Sequence, residues 1–183
     1  MLLTQRLTIR RFTPQDGADM YEYLSDPEVV RYEPYDVFSM GEAQKEAERR
    51  AYDDAFWAVC LKDGQKLIGN IYLNKGDFDT WELGYVFNAA YQGKGYASES
   101  AGALIQHIIS SQNARRIVAY CNPENEKSWR LMERLGMRRE GHLIQSVYHK
   151  KDENGNPVWH DTYEYAILKT EWQEKLPGRE KDR

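Results

Sequence analysis

The chain has 183 residues, of which 29 are acidic and 25 basic, giving a formal charge of −4 at pH 7. Hydrophobic residues make up 41% and aromatic residues 13%, enough for a packed core, which excludes disorder as a class. The acidic balance excludes nucleic-acid binding held by bulk charge, because neutralising phosphates takes a concentrated basic face.

No apolar run approaches the ~18 residues of a membrane span. The first eleven residues carry Gln5, Arg6, Arg10 and Arg11 where a signal peptide would hold its apolar block. Cys60 and Cys121 allow one disulfide at most, and with no secretion signal they read as reduced thiols of a soluble, cytoplasmic protein. No Cys/His spacing fits a structural zinc site. The expectation is one domain over residues 1–172 and a charged, frayed tail over 173–183.

In chain order, Leu7, Ile9 and Phe12 alternate with polar residues and predict a strand. Thr13-Pro14-Gln15-Asp16 and Ser39-Met40-Gly41-Glu42 each open a helix, the second with Glu46 and Arg50 spaced for an ion pair on its exposed face. Residues 56–61 and 67–73 flank an Asp63-Gly64 turn and predict a hairpin, with residues 81–87 as a third strand of the meander. A helix follows from about Gly95 to Asn113, then a strand over 116–121 and a helix from Asn125 to Gly136. Two long strands, 141–149 and 159–168, close the chain. This order predicts an α+β fold: a single mixed, mostly antiparallel sheet of about seven strands, flanked by about four helices.

The strand-to-helix junction Gln92-Gly93-Lys94-Gly95-Tyr96-Ala97 carries the most information. The first N–H groups of a helix lack partners and its dipole favours negative charge, so such a loop suits a pyrophosphate. Gly95 stands where a Walker loop needs Ser or Thr, and Ser98 where the dinucleotide fingerprint needs glycine, which disfavours a nucleotide-binding P-loop or a Rossmann site. An ordinary strand-to-helix turn is the plain alternative.

Residues 92–97 resemble the Gln/Arg-x-x-Gly-x-Gly/Ala motif of the GNAT superfamily of acetyl-CoA-dependent N-acetyltransferases. Glu82-Leu83-Gly84-Tyr85, Asn125-x-x-Ser128 with Leu135-Gly136-Met137, the opening Thr4-x-Arg6-Leu7-x-Ile9-Arg10 and the closing Trp159-x-Asp161 are similar to its RimJ/RimL branch. Named members of that branch acetylate ribosomal-protein N-termini; others act on small amines. The resemblance implies the GNAT-like acyl-CoA N-acyltransferase fold, acetyl-CoA as co-substrate and no metal. It further implies an amine acceptor as partner, with a homodimer allowed and neither nucleic acid nor membrane involved. It places Gln92, Gly93, Lys94, Gly95, Tyr96 and Ala97 on the pyrophosphate, Asn125 on the cofactor, and a backbone N–H of Val86 or Phe87 at the oxyanion.

Acyl transfer to an amine also needs a base and a proton donor. Strand alternation puts Glu82, Gly84 and Val86 on one face, and a carboxylate in that strand is the first choice for general base, acting through a water; its plain alternatives are a rim residue or an arginine's partner. The superfamily's usual tyrosine acid falls at Met132, which has no proton to give, so Ser128 becomes the substitute. The structural alternative for Ser128 is first-turn helix chemistry, and for Asn125 an N-cap. No partner spacing makes His107, His142, His149 or His160 a base. A non-catalytic acyl-CoA sensor is the rival reading, kept alive by Met132.

Overall fold

In the computed structural model, which describes residues 1–175, one eight-stranded sheet carries helices on both faces. The strands are β1 (Leu2–Leu3), β2 (Leu7–Arg10), β3 (Phe56–Leu61), β4 (Leu67–Lys75), β5 (Thr80–Phe87), β6 (Arg116–Cys121), β7 (Arg138–Lys151) and β8 (Pro157–Leu168). The helices are α1 (Gly17–Leu24), α2 (Met40–Ala51), α3 (Tyr96–Ser111), α4 (Glu126–Arg134) and α5 (Lys169–Lys175). The strand order is β1-β2-β3-β4-β5-β6-β8-β7, antiparallel everywhere except between β5 and β6. The mixed α+β sheet therefore matches the expectation, with one strand more: two-residue β1 is too short to show a period.

Local sequence explains the helix starts. Glu42 N–H donates to Ser39 Oγ at 3.3 Å, while Ser39 N–H donates to Glu42 Oε2 at 2.8 Å, a reciprocal capping box. At Thr13 the same signature first makes a 3₁₀ turn over Pro14–Asp16, and α1 proper begins at Gly17. The α2 ion pair forms, with Arg50 Nε 2.7 Å from Glu46 Oε1, but not on an exposed face: the Arg50 side chain is 3% exposed. Its guanidinium lies over Phe56 at 4.3 Å and near Phe12 at 5.6 Å, and these rings draw the arginine inward. The tail expectation also shifts. Helix α5 runs three residues into the stretch expected to fray, and the remainder of that stretch lies outside the described residues.

Two apolar clusters sandwich the sheet. Leu83 and Phe87 of β5 pack with Leu104, Ile105 and Ile108 of α3 and with Leu131 and Met132 of α4. On the opposite face Val86 packs with Met20, Tyr23 and Leu24 of α1 and Ala43 and Ala47 of α2. The alternation of β5 thus sends odd-numbered side chains toward α3 and α4 and even-numbered ones toward α1 and α2.

The sheet is not continuous. β5 and β6 pair only at Thr80–Arg116, Trp81–Ile117 and Glu82–Val118, then diverge. Past Glu82, β5 remains bonded to β4 alone, and a wedge-shaped gap opens between residues 83–87 and 119–121. No helix among the described residues is long and apolar enough to cross a membrane.

Candidate active site

The loop at the mouth of the gap is built to present donors. Gly93 and Gly95 take φ values of 74° and 82°, in the left-handed region where a side chain is strained, and Gly95 caps α3. Among the described residues nothing accepts from the backbone N–H groups of Gly93, Lys94, Gly95, Tyr96, Ala97 or Ser98. Unpartnered donors at the start of a 16-residue helix are an arrangement that suits an anion. Lys94 Nζ donates to Ala90 O at 3.0 Å and lies 5.4 Å from the Tyr91 ring centroid, keeping its charge beside the loop.

The loop is braced from the N-terminus, an arrangement the sequence did not disclose. Arg6 donates through Nη1 to Lys94 O at 2.9 Å and through Nε to Glu99 Oε2 at 2.7 Å, while Thr4 Oγ1 donates to Glu99 Oε1 at 2.6 Å. Gln92 spans the mouth of the gap: its Nε2 donates to Phe87 O at 2.9 Å and its Oε1 accepts from Lys127 Nζ at 3.1 Å.

Inside the gap, backbone direction separates the two oxyanion candidates. Asn88 N–H donates to Ile68 O and Gly76 N–H to Thr80 O, so even-numbered residues of β5 turn their backbone groups to β4. Val86 is therefore committed to β4, whereas Tyr85 and Phe87 direct their N–H groups into the gap. A ligand amide can pair there as a strand would.

The reaction-centre candidates fall on opposite sides of the sheet. Glu82 is exposed, makes no ion pair among the described residues, and faces a recess of about 320 Å³ with Asn74, Asp77, Thr80 and Val118. Of its alternatives, the arginine partner is absent and the rim position describes it. Ser128 sits in the first turn of α4 on the other face. Asn125 is the N-cap of α4, its Oδ1 accepting from Ser128 N–H at 3.2 Å. Met132 is 1% exposed within the core under α3 and α4, away from any proton-donor role. Tyr85, quoted above only as part of the Glu82–Tyr85 run, reaches Ser128 from β5, its Oη 2.9 Å from Ser128 O and 3.0 Å from Ser128 Oγ. Cys121 ends β6, and burial pushes its thiol up to about 11, against the opposing pull of Ser128, a poor state for a nucleophile.

Other expectations change in the hairpin of β7 and β8. His142 does have a partner: Nε2 lies 2.9 Å from Asp161 Oδ2, nineteen residues away and across the hairpin. Asp161 Oδ1 accepts from Gln145 N–H, Glu164 pairs with Arg116, and Asp152 accepts from the Asn154 and Asn156 N–H groups of the turn. Asp152 and Asp161 are thus committed within the hairpin, and Glu164 ties it to β6.

A second polar group gathers below the α1–α2 loop. Burial pushes the Glu33 carboxyl up to about 7, against the opposing pull of a Tyr35 hydrogen bond and the Arg50 charge. Arg50 Nη1 is buried with no hydrogen-bond partner among the described residues. A carboxyl whose folded pKa is raised adds stability that is complete below its unfolded value and is lost as pH rises through about 7. Glu33→Gln should therefore melt higher than the unmodified chain at about pH 8 by ~2–6 °C, with the difference closing near pH 4.5. Calorimetric melts at both pH values check this; a gap of equal size at both would assign the effect to packing.

A splayed parallel pair with an anion-binding helix start beside it is the architecture of an acyl-CoA acyltransferase. Residues 6–138 match the family described as the acetyltransferase (GNAT) domain. The chain is 42% identical over 174 residues to YnaD, an uncharacterized N-acetyltransferase of Bacillus subtilis, covering 93% of this chain and 98% of that one. It is 29% identical over 191 residues to the [ribosomal protein uS5]-alanine N-acetyltransferase of Escherichia coli, covering 97% and 94%. A GNAT-family acetyltransferase structure from Bacillus anthracis superposes with a TM-score of 0.85 at 37% identity, over 93% of this chain and 99% of that one. The chain belongs to the GNAT acetyltransferases, and its activity is acetyl-CoA-dependent N-acetyl transfer.

Proposed function

We propose that the chain transfers the acetyl group of acetyl-CoA to a protein N-terminal α-amine by direct attack in a ternary complex, as a RimJ/RimL-like enzyme of the cytoplasm. The observation that carries this reading is the gap between β5 and β6, with six N–H groups at its mouth and a carboxylate on its opposite face that have no partner among the described residues. The residues present fit acetyl-CoA. Gln92, Gly93, Lys94, Gly95, Tyr96 and Ala97 would hold the pyrophosphate, and the Tyr85 backbone would pair with the pantetheine arm, leaving the Phe87 N–H for the reacting carbonyl. Asn125 keeps its carbonyl oxygen for the α4 cap and has its amide nitrogen left for the cofactor. When bound, acetyl-CoA supplies an activated thioester carbonyl.

The chain supplies the rest. Glu82 takes the amine proton through a water in the recess it shares with Asn74 and Thr80. Phe87 N–H donates where negative charge develops in the gap. Ser128, in the first turn of α4 at the opposite wall, hydrogen-bonds the departing sulfur, which takes up through water the proton that the amine gives to Glu82; the raised Cys121 thiol leaves an acyl-cysteine route unfavoured. An α-amine suits a weak base, because its unperturbed pKa of ~7.7–8.0 leaves far more of it neutral than lysine at ~10.4.

Thiol release from acetyl-CoA, followed across a panel of amines, tests the reading. Turnover is expected with free N-terminal peptides and lost when the same peptides are blocked at the α-amine. Activity confined to spermidine or an aminoglycoside would move the acceptor to small amines, and none with any amine would leave an acyl-CoA sensor.

A further inference from the structure

Ser128 does not stand alone on the wall of the gap. Its hydroxyl has two neighbours contributed by two different strands: the Tyr85 phenol from β5 and the Cys121 thiol from β6, the strands that diverge to form the gap. Tyr85 Oη lies 2.9 Å from the Ser128 carbonyl oxygen and 3.0 Å from its Oγ. A phenol has one proton. Donated to Ser128 Oγ, that proton leaves the serine its own hydroxyl proton for a group in the gap. The phenol also lies against the Ser128 carbonyl oxygen, so it restrains the side-chain rotamer while packed on the first α4 turn. Asn125 adds a third restraint from below, through Ser128 N–H.

We propose that Tyr85 is a positioning residue of the acetyl transfer: reaching out from β5, its phenol sets the direction of the Ser128 hydroxyl at the wall of the gap. This rests on the role given to Ser128 above. Serine hydroxyls turn freely in water, and an unrestrained one spends much of its time aimed elsewhere. Here the donor is preset, so less reorganisation is left for the reaction itself. Met132, at the position of the superfamily's usual tyrosine, carries no hydroxyl and is enclosed in the core. Burial pushes the Tyr85 phenol well above its usual range, which keeps it protonated throughout the working range of pH. It holds a bond; it does not titrate.

The test is a double-mutant cycle on the full chain, with Tyr85→Phe, Ser128→Ala and the pair, measuring kcat, the affinity for acetyl-CoA and the pH–rate profile. Tyr85→Phe keeps the ring and its packing and removes only the hydroxyl. Expected is a fall in kcat of about tenfold with acetyl-CoA affinity within about twofold, and an unchanged shape of the pH–rate profile. In the Ser128→Ala background the same change should cost less than about twofold, because the group it positions is gone. Full activity in Tyr85→Phe, or an undiminished loss in the Ser128→Ala background, overturns the positioning role. Full activity in Ser128→Ala alone overturns the role of Ser128 itself, so the two failures are told apart. A thermal melt of each variant separates loss of fold: a kcat deficit that tracks unfolding at the assay temperature counts against the proposal.

Discussion

Glu82→Gln is expected to lower turnover by about 10²–10⁴ while leaving acetyl-CoA affinity within about twofold. The carboxylate stands on the face of β5 away from α3 and α4, exposed and free of any ion pair among the described residues, so replacing it disturbs little besides its chemistry. Glutamine is close in shape and cannot take a proton. A general base works only when deprotonated, so the rate of the unmodified enzyme should fall as pH drops through the pKa of its base. The variant should lose that acidic limb. Stopped-flow thiol release across a pH series measures both effects, and undiminished turnover with the limb intact would return Glu82 to a rim residue.

The second large effect is at the loop. Gly95→Val should weaken acetyl-CoA binding by ~2–3 kcal/mol, roughly 30- to 150-fold, with the fold retained. Gly95 has φ of 82°, a conformation in which a β-branched side chain is a clear outlier. Its added Cβ would lie 3.3 Å from Arg6 Nη2, the side chain that ties the loop to Glu99. Both effects push the loop out of the geometry in which its N–H groups converge. Titration calorimetry reads the affinity, and an unchanged dissociation constant would take the loop out of the binding site.

Much of this architecture is legible in the sequence because its signals are local. The capping box at Ser39, the 62–65 turn and the 3.6-residue period of Leu104, Ile105 and Ile108 are each local patterns, and each element forms, with the left-handed residues of the turn at Gly64 and Gln65 rather than at Asp63 and Gly64. The loop at 92–97 is legible for the same reason: glycine spacing at a strand-to-helix junction is a contiguous pattern. What the sequence withholds is distance. Arg6 meets Glu99 across 93 positions, His142 meets Asp161 across 19, and Tyr85 meets Ser128 across 43. Tyr85 was within reach by strand alternation, since it shares the face of Leu83 and Phe87 toward α4, but nothing local marks a tyrosine between apolar neighbours as a hydrogen-bond donor. Arg50 shows the converse. Spacing found its partner Glu46 and could not show that Phe12 and Phe56 would draw the pair inward.

The short junction between β5 and β6 has a mechanical meaning. Three residue pairs join an antiparallel block of five strands to a block of three, so the sheet has a spine, and the two blocks are otherwise held by the helices laid across them. A molecule that lies along the open edge of β5 and also touches α4 bonds to both blocks at once. Ligand binding and cohesion of the sheet are therefore linked: whatever bonds to both blocks adds to the hold across that three-pair junction.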